Sequence, residues 1–309
     1  MDFNFLRKEK TLPGLCSIYL LPNKCIVTHA LTDRETPTIT LLEIVPYQFD
    51  SLGAVLSSVI NKNKLDNVVC TWALHSGYYQ LFLLDPPAIA ETEMSFALRW
   101  QIKELINFKA EEAAIEYFAV PAVLEAKKKI YVAAAKMQEL QKIADIICDA
   151  GLKLKYIDIA ELCLRNINAL YGDDQCYLGL LAFDCNAIEF IITHEKNLLL
   201  SRRLSFPDTM DLAKLSAEWL NELTTEIKNS FSYCKSQQQK ELPAKLLVST
   251  ANVELIAQFN QLLQIETELL EMHKKINFEF MLPQNDYTTL DYLIAIGSVL
   301  RKSHDHARN

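Results

Sequence analysis

The sequence predicts an α/β protein built from two similar lobes, with an extra subdomain inserted in the first lobe. The chain has 309 residues, a length that suits two domains or one bilobed domain. Half of its residues are hydrophobic, which is enough to fill a sizeable core. The same order of elements, three strands followed by alternating helices and strands, starts near residue 15 and again near residue 176.

The first lobe is predicted to span residues 1–172. It opens with three strands rich in β-branched and apolar residues, and a helix with one apolar face follows them. Gly151 stands where a helix that ends at residue 150 needs its C′ glycine. The predicted elements are strands 15–20, 25–31 and 38–45, helix 49–61, strand 67–73, strand 129–135, helix 137–150, strand 153–159 and helix 160–170.

The insertion is predicted at about residues 79–128. Strand 79–84 stops at a double proline, because proline cannot donate to a strand ladder. A helix over 91–106 and a strand over 114–120 follow. The helix carries an apolar stripe that indicates either core or a groove wall, and Trp100 lies off this stripe, where a half-exposed tryptophan can anchor an interface. The stripe consists of Met94, Leu98, Ile102 and Leu105.

The second lobe is predicted to span residues 173–309, after a polar break at Gly172-Asp173-Asp174. Two units of this kind facing each other form the duplicated, ribonuclease-H-like arrangement of actin-like proteins. The predicted elements are strands 176–183, 187–193 and 198–206, helix 209–238, strand 245–249, helix 253–263, strand 266–270 and helix 289–302.

Composition excludes several classes of function. The net charge is −8 and basic residues do not cluster, so we expect no nucleic-acid partner. The N-terminus lacks the apolar core of a signal peptide, and the chain lacks the ~18–20 consecutive apolar residues of a membrane span. The sequence therefore predicts a cytoplasmic protein with no direct membrane insertion. The histidines and cysteines show none of the usual zinc-ligand spacings, so no metal site is predicted.

Glycine is scarce, with seven in the whole chain and no two close together. Phosphate-binding loops need clustered glycines, because backbone N–H groups must converge on the anion with no Cβ in the way. The sequence therefore contains neither a phosphate loop nor a dinucleotide motif. We predict no cofactor, no catalytic residue and no enzymatic activity.

Five short segments carry a resemblance to a known family. They read ALRWQ at 97–101, ELINF at 104–108, YVAAAK at 131–136, LSRRL at 200–204 and LIAIGSVLR at 293–301. In their order and spacing, the chain from about residue 65 onward resembles PilM-type pilus assembly proteins. It is most similar to the MshI-like proteins of mannose-sensitive haemagglutinin (MSHA) pilus biogenesis.

The resemblance implies a cytoplasmic, actin-like scaffold of a type IV pilus, peripheral to the bacterial inner membrane. Its implied partner is the N-terminal cytoplasmic tail of a single-span, PilN-like inner-membrane protein. A second copy and the pilus motor ATPase are further candidate partners. The alternative is an active ATP-binding protein of a pilus or of a type II secretion machine, because the chain also resembles GspL more distantly.

The chain departs from nucleotide-binding members of this superfamily at three loops. The first hairpin lacks any carboxylate, since no acid lies between Glu9 and Asp33, and magnesium prefers such oxygens. In the second hairpin Asp184 is retained, but cysteine follows it in place of glycine. Asp184 is then either a relic magnesium ligand or an ordinary turn residue. Loop 248–252 lacks a glycine pair to admit a base. These departures predict a degenerate nucleotide site.

The predicted partner site lies in the inserted subdomain. An extended tail is expected in the cleft between this subdomain and the first lobe, where pairing along a sheet edge gives affinity. Glu111 and Glu112 are either a solvated loop or an electrostatic partner for a basic tail. The candidate contact residues are Arg99, Trp100, Phe108, Glu111 and Glu112.

Overall fold

A computed structural model describes residues 12–33, 35–122, 128–172, 174–183, 187–205, 216–250, 252–281 and 289–301. Within these residues the chain forms three sheets and seven helices. No described helix combines the length and the apolar character needed to span a bilayer. The strands are β1 (Leu15–Leu20), β2 (Lys24–Leu31), β3 (Thr38–Pro46), β4 (Val69–Leu74), β5 (Tyr79–Leu84), β6 (Ala113–Val120), β7 (Lys129–Lys136), β8 (Lys153–Ile159), β9 (Tyr177–Phe183), β10 (Ala187–His194), β11 (Asn197–Ser205), β12 (Ala244–Ser249), β13 (Glu266–Leu269) and β14 (Asn277–Phe278). The helices are α1 (Leu52–Asn63), α2 (Met94–Ile102), α3 (Met137–Asp149), α4 (Ala160–Asn168), α5 (Ala217–Gln238), α6 (Val253–Leu263) and α7 (Leu290–Val299).

The first sheet has the strand order β14-β3-β2-β1-β4-β8. Strands β1, β2 and β3 form an antiparallel meander, and β4 and β8 continue from β1 in parallel. Every residue of β1 is buried, as expected for a central strand covered on both faces. Helices α1 and α3 pack together and contribute the apolar stripes that the sequence predicts, including Leu56, Ile60 and Ile147.

The second sheet repeats this plan with the order β11-β10-β9-β12-β13. Strands β9, β10 and β11 form the meander, and β12 and β13 continue from β9 in parallel. One face is covered by α5 and α6, whose buried side chains include Ile227, Phe231 and Phe259. Helix α5 begins after Ser216, whose hydroxyl accepts from the Trp219 N–H at 3.2 Å. The predicted duplication of elements is therefore present.

Helices α4 and α7 pack against each other, and their buried residues belong to one core that includes residues of both large sheets. Their approach is close because Gly297 has no side chain: a Cβ at this position would lie 2.1 Å from the Cys163 carbonyl oxygen. The Asn166 amide also donates to the Gly297 carbonyl at 2.9 Å. At the end of α7, buried Arg301 donates to Asp158 at 2.7 Å.

The structure corrects three sequence-based boundaries. The C-terminal segment, assigned to the second lobe, returns to the first, because β14 pairs with β3 and α7 packs on β1 and β2. The insertion ends at Lys136 and not at residue 128, because β7 is the central strand of the third sheet, whose order is β5-β7-β6. The inserted helix is shorter than predicted and ends at Ile102. The predicted start of α5 at residue 209 lies outside the described residues.

Candidate functional site

The inserted subdomain is a three-stranded sheet with α2 on one face. Strand β5 shows the division between the two faces by simple alternation. Phe82 and Leu84 pack toward Leu98 and Ile102 of α2, in a small core separate from the cores of the large sheets. Leu81 and Leu83 point to the other face, toward the body of the protein. The subdomain therefore has an outer side, covered by α2, and an inner side.

A cavity of about 290 Å³ lies on the inner side. This volume is near the lower end of the roughly 300–1,000 Å³ that is typical of ligand sites. The subdomain contributes an apolar wall, whereas α4 and the second sheet contribute charged side chains. The lining residues are Ser76, Tyr79, Leu81, Leu83, Tyr131, Glu161, Glu189, Ser201 and Arg203. The sequence predicted a cleft against the first lobe, but three of these residues belong to the second.

Tyr79 connects the first strand of the insertion to the start of α4. Its hydroxyl donates to Glu161 Oε2 at 2.6 Å and accepts from the Ala160 N–H at 3.2 Å. Burial raises the pKa of Glu161 above its ordinary value, although the Tyr79 hydrogen bond and the Arg203 charge oppose the shift. Burial also raises the pKa of Tyr79 well above its usual range, and the Glu161 charge adds to this effect.

Arg203 closes the cavity from the second lobe. Its guanidinium donates to Glu189 Oε1 at 2.7 Å and to the Ser76 hydroxyl at 3.0 Å. Glu189 lies across from Arg203 on β10, and Ser76 follows β4 in the first lobe. This side chain therefore joins the two lobes and neutralises one of the two acidic groups in the cavity wall.

Tyr131 makes a second connection between the subdomain and β11. Its hydroxyl accepts from the Ser201 N–H at 2.8 Å, and its ring stacks on Phe118 with centroids 5.3 Å apart. Burial raises the pKa of the Tyr131 hydroxyl. The inner side of the subdomain is therefore fixed by hydrogen bonds at both Tyr79 and Tyr131.

The hairpin between β1 and β2, which corresponds to the first predicted nucleotide loop, directs its polar groups to protein partners. The Leu21 N–H donates to the Lys24 carbonyl at 2.9 Å, and the Tyr47 hydroxyl donates to the Leu21 carbonyl at 2.8 Å. The Lys24 ammonium pairs with Asp291 of α7 at 2.8 Å. A phosphate-binding loop instead presents several free N–H groups to one anion.

The other two predicted nucleotide loops are only partly described. Asp184 lies outside the described residues. In the loop after β12, Ser249 and Thr250 are buried and Asn252 caps α6, accepting from the Glu254 N–H at 3.0 Å. Across the residues that the structure describes, no three His, Cys, Asp or Glu side chains come together as a metal site.

Two of the predicted partner residues make contacts inside the subdomain. The Arg99 guanidinium donates to the Ala110 carbonyl, and Phe108 is partly buried against the small core under α2. Both side chains therefore stabilise the outer half of the subdomain. They do not line the cavity, which lies on the opposite face of the sheet.

The other three predicted partner residues are exposed, and none of them lines the cavity. Trp100 is 62% exposed. Glu111 and Glu112 are exposed in a short 3₁₀ turn before β6, and Glu112 lies 3.8 Å from Lys109. Of the apolar stripe on the inserted helix, Leu98 and Ile102 are core, as one reading of the sequence held, whereas Leu105 is exposed. Partner binding by these three residues stays a prediction.

Sequence reasoning missed the charged residues of the cavity. A usable signal was present for Arg203, which belongs to the LSRRL segment, and for the alternation of Tyr79, Leu81 and Leu83 along one strand. The pairing of Glu161 with Tyr79 left no local signal, because the two residues are 82 positions apart.

Solved structures of other proteins share this architecture, whereas comparisons of sequence found no match. No protein-family model matches the chain, and no curated protein matches it. Among solved structures, a chain of the PilM-PilN type IV pilus biogenesis complex has a TM-score of 0.67 at 15% identity, over 93% of this chain and 98% of that one. This likeness confirms the predicted two-lobed, actin-like fold.

Two further solved structures are more distant. The cytoplasmic domain of EpsL, an inner-membrane component of the type II secretion system of Vibrio cholerae, has a TM-score of 0.48 at 12% identity, over 93% of this chain and 95% of that one. A Bacteroides thetaiotaomicron protein with an actin-like ATPase fold and unknown function has a TM-score of 0.44 at 12% identity, over 90% and 95%.

Proposed function

We propose that this chain is a non-catalytic scaffold of MSHA-like type IV pilus biogenesis, acting in the cytoplasm at the inner membrane. Its partner is the N-terminal cytoplasmic tail of a PilN-like, single-span membrane protein. The cavity of about 290 Å³ under the inserted subdomain is the observation that carries the proposal. The fold likeness to a chain of a PilM-PilN complex, over nearly the whole of both chains, supports it.

The position of the cavity beside an edge strand suits an extended segment. Strand β5 is an edge strand of the inserted sheet, so its outer backbone groups are available for pairing with an added strand. Leu81 and Leu83, two positions apart on β5, offer apolar contacts to alternate side chains of that strand. A small cavity of this kind accepts a few side chains of a tail.

The charges in the cavity wall suggest what the tail carries. Glu189 pairs directly with Arg203, whereas among the described residues Glu161 accepts from the Tyr79 hydroxyl and forms no ion pair. A basic side chain of the tail that approached Glu161 would form a charge-assisted hydrogen bond and favour its ionised form. We therefore expect the tail to combine apolar residues with at least one lysine or arginine.

The same proposal includes a degenerate nucleotide site. Its support is the β1–β2 hairpin, whose Leu21 N–H and Lys24 ammonium both have protein partners. An active ATP-binding protein remains the competing function, and the experiment below includes it.

The test is a calorimetric titration of the purified chain with a synthetic peptide of the PilN-like tail encoded beside it. We expect saturable one-to-one binding in the micromolar range. The double variant Leu81→Ala, Leu83→Ala should weaken binding about tenfold or more, because each truncation removes buried apolar contact worth ~1 kcal/mol or more. The matched control is Met137→Ala, an exposed apolar residue on α3.

Three outcomes would count against the proposal. Absence of binding to the wild-type chain would remove the assigned partner. Loss of binding in Trp100→Ala, with normal binding in the Leu81, Leu83 double variant, would move the tail to the outer side of the subdomain. A saturable titration with magnesium-ATP, or a melting temperature raised by it, would replace the degenerate site by a working one.

A further inference from the structure

The outer face of α2, which we define by Phe96 and Trp100 of the helix and by Lys103 directly after it, presents two aromatic side chains that the described residues leave largely uncovered. Phe96 is 67% exposed and Trp100 is 62% exposed, whereas Leu98 and Ile102 of the same helix are fully buried. The helix is therefore held in place by its inner stripe and does not need the two aromatic side chains. Exposed aromatic pairs of this kind are typical of protein contact surfaces.

These side chains are arranged before any partner arrives. Phe96 and Trp100 are one helical turn apart, and their rings meet edge to face with centroids separated by 6.4 Å. The Lys103 ammonium lies 5.2 Å from the centroid of the Trp100 ring. The Trp100 ring therefore already accepts a cation, and a partner's guanidinium could take the place of Lys103.

The surroundings of this face are acidic. Segment 85–112 holds six acidic and three basic residues. Glu91, Glu93 and Glu104 are exposed and form no ion pair with any described residue. Glu93 directly precedes α2, and Glu104 lies two residues after its end. An apolar centre with free carboxylates at its rim complements a partner that is apolar in the middle and basic at its edges.

We propose that the outer face of α2 binds a basic amphipathic helix of a partner protein. One apolar side chain of that helix packs between Phe96 and Trp100, and its lysines or arginines pair with Glu93 and Glu104. An anionic membrane surface would be repelled by these carboxylates. A second copy of this chain would bring the same acidic rim against itself.

This docking site is separate from the proposed tail site. The outer face lies on the side of the inserted sheet that α2 covers, whereas Leu81 and Leu83 line the cavity on the other side. The two surfaces can therefore be occupied at the same time. The two proposals fail separately, except where the tail itself binds at Trp100, which the titration of Trp100→Ala with the tail peptide detects.

The test uses two synthetic helical peptides of about 18 residues, long enough to form a helix on binding. Both have a leucine and alanine stripe; one carries arginine on its polar face and the other glutamate. Tryptophan fluorescence reports binding in a Trp219→Phe background, which removes the signal of the partly buried tryptophan on α5. Of the remaining two, Trp72 is fully buried and Trp100 is exposed. We expect the arginine peptide to bind with at least tenfold higher affinity than the glutamate peptide.

Variants locate the binding. Phe96→Ser and Trp100→Ser should each weaken binding of the arginine peptide about tenfold without changing the melting temperature. Binding to Trp100→Ser is measured by calorimetry, because this variant lacks the exposed fluorophore. The double variant Glu93→Gln, Glu104→Gln should reduce the difference in affinity between the arginine peptide and the glutamate peptide. The controls are Val253→Ser and Glu254→Gln on α6, where Val253 is 69% exposed. They remove an exposed apolar side chain and an exposed carboxylate elsewhere, and should not change peptide affinity.

Several results would overturn the proposal. Equal binding of the two peptides would show that the carboxylates do not select the partner. Equal losses in the α6 variants would show that the net charge of the chain, and not this face, attracts the arginine peptide. Flotation of the chain with anionic vesicles that Phe96→Ser abolishes would assign the face to a membrane. Dimerisation on sizing that Trp100→Ser abolishes would assign it to a second copy.

Discussion

At the residue scale, Glu161 links the stability of the protein to pH. Burial raises its pKa above the ordinary value of 4.5, so the folded chain favours the protonated carboxyl. Its contribution to stability is full below that ordinary value and is lost as pH rises through the folded pKa. We predict that Glu161→Gln flattens the fall in unfolding free energy over the weakly acidic range, measured by urea unfolding at several pH values.

Tyr79→Phe provides the matching variant at this site. The Tyr79 hydroxyl donates to the Glu161 carboxylate and so favours its ionised form. Its removal should raise the pKa of Glu161 further and steepen the pH dependence that Glu161→Gln removes. Parallel pH profiles for the wild-type chain and Glu161→Gln would show that Glu161 does not titrate between the folded and unfolded states in this range.

At the element scale, three helices end on residues that are strained for lack of glycine. The C-caps of α1, α5 and α6 are Lys64, Gln239 and Gln264, with φ angles of 56°, 50° and 55°. The left-handed region raises the conformational free energy of a residue with a Cβ by ~1–2 kcal/mol, whereas glycine adopts it without this cost. We predict that each substitution to glycine raises the unfolding free energy by about 0.5–1 kcal/mol, after the entropy of the unfolded chain is counted.

Helix α3 supplies the control for these caps, because Gly151 already occupies the left-handed position after it, with φ of 110°. Gly151→Ala should lower the unfolding free energy, since the new Cβ is strained and would lie 3.3 Å from Asp66 Oδ1. Urea titrations of the four variants measure both effects. A set of glycine substitutions that all destabilise would mean that the long side chains compensate through contacts of their own.

At the scale of the whole molecule, the contact between α4 and α7 joins the two large sheets, because α4 also packs on β9, β10 and β11 and α7 packs on β1 and β2. Gly297→Ala would place a Cβ against the Cys163 carbonyl, where backbone must move to accommodate it. We predict a loss of about 3 kcal/mol or more in unfolding free energy. One core includes residues of both large sheets, so calorimetry should show a single transition at a lower temperature.

The control is Gly53→Ala in α1, where the new Cβ would meet only Ile146 at an ordinary 3.7 Å. This change should be neutral or stabilise the protein by up to about 1 kcal/mol, because alanine favours helix. Two separate transitions in the wild-type chain would show that the parts built on the two large sheets unfold independently and that the α4–α7 contact does not couple them. Two transitions in Gly297→Ala alone would show that this contact couples them.

Local pattern in the sequence predicted most elements to within a few residues. Strands β1, β5 and β8 and helix α6 have the predicted bounds, because alternation and 3.6-residue spacing are properties of neighbouring residues. The glycine after α3 was predicted for the same reason. The repeated order of elements, together with the resemblance of five short segments, was sufficient to predict the actin-like fold.

Only the tertiary structure decided how these elements meet. The return of β14 and α7 to the first sheet depends on contacts across more than half of the chain, and two residues of β14 carry no detectable alternation. Arg203 reaches Ser76 over 127 positions. The sequence predicted Trp100 as an interface anchor. In the structure Trp100 lies away from the cavity, because α2 covers one face of the inserted sheet and the cavity lies on the other. Burial and pairing of distant residues depend on packing that no local pattern contains.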